Sequence, residues 1–87
     1  MIDDFQRQLG GVVSSLIGIT AEVCIRGDAD ARFVFASAKS RAIELLKSKT
    51  GIWVEFWDAS EVAPRHDYTF DSFASATIAI VRWLQAA

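Results

Sequence analysis

The stretch Ile52-Trp53-Val54-Glu55-Phe56-Trp57-Asp58 decides how this chain is read. Ile52, Val54 and Phe56 fall on one side of an extended backbone, and Trp53, Glu55 and Trp57 on the other. The period is two, and the residues are aromatic or β-branched, so the segment predicts a strand. Both sides are largely apolar, which places that strand in the interior of its sheet.

On the N-terminal side, the spacing predicts a second strand over 19–26. Ile19, Ala21, Val23 and Ile25 alternate with Thr20, Glu22, Cys24 and Arg26. Gly27-Asp28-Ala29-Asp30 has turn chemistry, and 31–36 continues as a strand, so the pair predicts a hairpin. Between this hairpin and the 52–58 strand, Ala38, Ala42, Ile43, Leu45 and Leu46 make an apolar arc at helical spacing. Ser37 is the candidate N-cap of a helix reaching Lys49, with Gly51 ending it.

Outward again, Ile2, Phe5, Leu9, Val12 and Leu16 form a helical stripe over 2–17, with Gly18 as its stop. Gly10 and Gly11 invite a break in it. After a loop over 59–65 that holds Pro64, His66 to Phe70 reads as a short strand. The segment 72–86 reads as a helix capped by Asp71. Its wheel is apolar almost all the way round, so it must be covered on more than one side.

The expected order is α-β-β-α-β-(β)-α. The fold class is α+β, a two-layer sandwich in which helices cover a small antiparallel or mixed sheet of 3–4 strands. With 87 residues there is room for a single domain, 1–87.

Composition bounds the function. Hydrophobic residues make up 52% of the chain, which excludes disorder. One cysteine and one histidine give neither an internal disulfide nor a tetrahedral zinc site. A net charge of −2 opposes nonspecific attraction to phosphate backbones or anionic membranes. No uncharged stretch reaches the roughly 20 apolar residues of a membrane span, and the acidic start lacks the basic region of a signal peptide. A cytoplasmic location is the expectation.

The search for chemistry returns little. There is no phosphate loop, nucleophile elbow or histidine pair, so no catalytic residue, cofactor or metal is assigned. His66 lies beside Arg65, Asp67 and Tyr68, a base near a carboxylate and a phenol. Neighbours in an extended segment point to opposite faces, however, so His66 reads as a surface histidine. Cys24 reads as a space-filling strand residue. Asp28 and Asp30 lack the further ligands of a calcium loop.

What stands out is apolar surface. If Val23, Ile25, Phe33, Phe35, Val54 and Phe56 pack under the helices, then Thr20, Glu22, Cys24, Arg32, Val34, Trp53, Glu55 and Trp57 form the opposite face. Two tryptophans among a few charges make a surface that a monomer rarely leaves bare. Ala76 and Ala79, with Trp83 beside them, give the last helix a second close-approach patch.

The leading expectation is a non-catalytic binding protein that forms a homodimer through the aromatic sheet face or the last helix. Glu22, Arg32, Val34, Trp53, Glu55, Trp57, Ala76, Ala79 and Trp83 are its contact candidates. One alternative is a small-ligand binder or minor enzyme. Its pocket would lie near Trp53, Glu55 and Trp57, with His66 or Tyr68 at the mouth. Another is an acidic inhibitor or regulator of a protein partner, of the type borne by mobile elements. Nucleic acid is disfavoured, because Glu22 and Glu55 share the face that would have to stack bases.

Overall fold

The computed structural model describes residues 4–20, 22–27, 32–60 and 65–86. The element order is α1 (Asp4–Leu16), β1 (Glu22–Arg26), β2 (Phe33–Ala38), β3 (Arg41–Ser48), β4 (Gly51–Asp58), β5 (His66–Phe70) and α2 (Phe73–Gln85). The α+β class holds. The strands form one five-stranded antiparallel sheet in sequence order, β1-β2-β3-β4-β5. The expected sheet of 3–4 strands therefore gains one.

The extra strand is β3, which replaces the helix expected over 37–49. Ile43 and Leu45 are buried on one side, while Glu44 and Leu46 are half-buried on the other. These residues fit a helical arc and a strand alternation equally well, as short apolar runs do. Pairing decides: Ile43 lies opposite both Ala36 and Phe56, so β3 is held by a strand on each side. The β2–β3 turn is Lys39-Ser40, with Lys39 at φ 55° in the left-handed region. It carries none of the Gly, Asn or Asp that usually mark such a turn. Ser40 is tied down by the Ala59 amide, which donates to its carbonyl at 2.8 Å.

The β3–β4 turn uses local hydrogen bonds. The Ser48 hydroxyl donates to the Gly51 carbonyl at 3.1 Å, and the Thr50 amide donates to the Ser48 hydroxyl at 3.3 Å. Gly51 adopts φ 151°, and a Cβ there would run into the Phe70 carbonyl oxygen of β5. Glycine alone fits that approach.

Both helices lie on one face of the sheet. Leu9, Val12 and Leu16 of α1 and Ala76, Ile80 and Leu84 of α2 are buried against Val34, Ala36, Ile43, Leu45, Ile52, Val54 and Phe56. α1 packs on β1 and β2, α2 reaches from β2 to β5, and the helices touch each other. α1 runs unbroken through Gly10 and Gly11, and Gly18 follows it at φ 98° as its stop. The N-cap of α2 is Ser72 rather than Asp71; its hydroxyl accepts from the Ser75 amide. Ile2, the turn over 28–30, Ala31 and Pro64 lie outside the described residues, as does the side chain of Phe5. Among the described residues no helix is long and apolar enough to cross a membrane.

Candidate functional site: the open sheet face

The register arranges the face away from the helices in rows. Across the strands run Glu22–Ser37–Ala42–Trp57, then Cys24–Phe35–Glu44–Glu55–Asp67, then Arg26–Phe33–Leu46–Trp53–Thr69. Phe33, Phe35, Leu46, Trp53 and Trp57 are half-buried here, and no described helix packs on them. At about 4.8 Å between strands, the five-strand face is about 19 Å across.

Polar side chains hold the rings in place. The Trp53 indole N–H donates to Asp67 Oδ2 at 2.8 Å. The Arg65 guanidinium lies 4.4 Å above the Trp57 ring, and its Nη1 donates to Glu55 Oε1 at 2.9 Å. The Arg26 guanidinium lies 4.9 Å from the Phe35 ring centre and pairs with Glu22 at 2.7 Å, while its Nε donates to Cys24 Sγ at 3.1 Å. Phe35 and Trp57 meet at 6.2 Å. Glu44 stands directly opposite Glu55 and, of the three carboxylates in its row, is the one with no hydrogen bond or ion pair to a described residue.

A second cluster sits at one end of the helix side. His66 stacks on Phe56 at 5.3 Å and meets the Trp83 ring edge-on at 5.4 Å. The Arg41 guanidinium lies 4.0 Å from the Trp83 ring centre and donates to the Trp83 carbonyl at 3.1 Å. The Trp83 indole donates to the Ala42 carbonyl at 3.3 Å. Asp58 accepts from Arg41 Nε, from the Ser60 amide at 2.9 Å and from the Ser60 hydroxyl at 2.7 Å. The Ser60 and Ser40 hydroxyls, the Ser60 amide and Arg41 hold its carboxyl down at about 2.

The expected contact residues therefore divide. Trp53, Glu55, Trp57 and Glu22 share the open face. Val34 does not: it is fully buried under the helices, and Phe33 and Phe35 take the open side instead. Both sides of β2 are apolar, and the smaller Val34 and Ala36 fit the tight space beneath the helices. Arg32 lies just before β2, outside the ladder. Ala76 belongs to the core, Ala79 is partly buried against it, and Trp83 is pinned to β3.

His66 and Tyr68 pair with Phe56 and Val54, whose side chains face the helices, so neither can form the mouth of a pocket around Glu55. Tyr68 instead lines a cleft of about 360 Å³ with Thr69, Phe70, Asp71 and Ser75. Among the described residues no group of histidine, cysteine and carboxylate side chains converges as a metal site. Residues missed from sequence are Phe33, Phe35, Glu44, Leu46 and Asp67. The signal for Glu44 and Leu46 was the alternation within 41–48.

Set against protein-family models, curated proteins and solved structures, the chain matches none.

Proposed function

We propose that this chain is a non-catalytic binding protein of the cytoplasm, and that its open sheet face is where a protein partner docks. One observation carries the reading: Phe33, Phe35, Leu46, Trp53 and Trp57 share a sheet face that both helices leave uncovered. Large apolar side chains gathered on one uncovered face mark a docking surface, and here a row of carboxylates, Glu44, Glu55 and Asp67, runs between them. Tryptophan and arginine are the residues most often found to dominate binding energy. Trp53 and Trp57 are already held by Asp67 and Arg65, so little side-chain freedom is lost when a partner arrives.

A photo-crosslinking residue placed at Leu46 tests this in cells that express the chain. A discrete crosslinked product is expected, with none when the same residue replaces Ile78 on the solvent side of α2. The absence of any product at Leu46 would defeat the reading.

A second copy of the chain is the other occupant to consider. Ile17, Ile25, Tyr68 and Ile78 are exposed apolar residues outside the open face.

A further inference from the structure

Resting on the docking reading above, we infer that the partner is a protein that presents a guanidinium, an arginine side chain, to Glu44 at the centre of the open face. The face already grips guanidinium groups twice in the same way. Arg65 lies over Trp57 and is anchored on Glu55, while Arg26 lies over Phe35 and is anchored on Glu22. Each site is an aromatic ring beneath the cation and a carboxylate at its end, an arrangement suited to arginine's flat, forked head.

Glu44 also stands among aromatic rings, and has no ion pair to a described residue. Phe35 stands directly opposite it on β2. Phe33, Trp53 and Trp57 are its diagonal neighbours across the ladder. Cross-strand diagonals of this kind lie within reach of aromatic side chains.

Charge separates an arginine-bearing partner from a second copy. The face carries Glu22, Glu44, Glu55 and Asp67 against Arg26 and Arg65. Glu44, Glu55 and Asp67 occupy the middle row. Two copies stacked face to face on a central two-fold axis would lay that row on itself, and like charges so placed are costly. The width of the face suits a protein surface better than a small amine, which would need only one ring and one carboxylate.

The test is an NMR titration of the full chain, isotope-labelled, with N-acetyl-arginine amide. The isosteric neutral N-acetyl-citrulline amide serves as control. Saturating shifts at Glu44, Phe35 and the Trp53 indole are expected with the arginine probe alone, weakening as salt rises. Glu44→Gln should weaken them about tenfold while leaving the fold's spectrum unchanged. Arg65→Gln should open a second site, with new shifts at Glu55 and the Trp57 indole.

Equal responses to both probes would overturn the inference, as would shifts scattered over the surface or a Glu44→Gln titration matching wild type. If crosslinking at Leu46 succeeds while this titration fails, docking stands and the arginine chemistry falls. If crosslinking also fails, the docking reading falls as well.

Discussion

Glu44 of β3 and Glu55 of β4 face each other directly across the antiparallel ladder on the open side of the sheet. Like charges in that relationship destabilise a sheet. Among the described residues Glu55 alone of the two is relieved, by Arg65. Replacing Glu44 by Gln should therefore stabilise the free protein by about 0.5 kcal/mol, with a larger effect at low ionic strength. Chemical denaturation at two salt concentrations measures it. A stability cost from Glu44→Gln would mean that Glu44 makes a favourable contact within the fold.

Leu45 and Leu46 are chain neighbours with opposite fates. Leu45 is fully buried beneath the helices and Leu46 lies on the open face. Leu45→Ala should cost roughly 2–5 kcal/mol, as cavity-forming core truncations do. Leu46→Ala should cost no more than about 1 kcal/mol. Similar losses for both would point to the helical arc in which the two leucines share a face.

Gly51 combines a left-handed backbone with the approach of the Phe70 carbonyl. Gly51→Ala should lower stability by more than about 1 kcal/mol through strain and displacement of β5. Thermal unfolding gives the magnitude, and hydrogen exchange should show the loss of protection concentrated in β5.

The Asp58 carboxyl titrates at about 2 when folded, against an ordinary value of 3.8. A group whose folded value is depressed stabilises the protein above its unfolded value and loses that contribution as pH falls through the folded one. The Asp58 contribution is thus whole above about pH 4 and gone below about pH 2. Denaturation midpoints followed across that window should fall more steeply for wild type than for Asp58→Asn. Parallel slopes would show that the Ser60 and Arg41 contacts do not persist in solution.

The carboxylate row predicts that the free chain, of 9.6 kDa, sediments as a monomer at neutral pH and low salt. A dimer that survives there, and is lost on replacing Trp57 by Glu, would favour the second copy as the occupant of the face.

The architecture was partly legible from residues alone. β4 was readable because each of its sides carries a consistent set, α1 because Leu9, Val12 and Leu16 recur at helical spacing, and α2 because its wheel is apolar almost all the way round. β3 was not, since Ile43, Leu45 and Leu46 satisfy both periods and the Lys39-Ser40 turn has no turn chemistry to announce a hairpin. Local sequence shows which residues share a side of a strand. Which side the helices will cover depends on long-range pairing, such as Phe35 opposite Cys24 and Glu44. Trp53, Glu55 and Trp57 were therefore found together, whereas Val34 was exchanged for Phe33 and Phe35. Glu44 was hidden behind the helical reading.

Because the strands follow one another in chain order, every ladder joins sequence neighbours and each closes at small entropic cost. The seam between α1 and α2 is different, since it brings residues 4–16 against residues 73–85. Heat or denaturant should part that seam while the meander is still intact. The half-opened form would then show Val34 and Ile43 on one side and Phe33 and Phe35 on the other, a plate sticky on both surfaces and the species from which aggregates would grow.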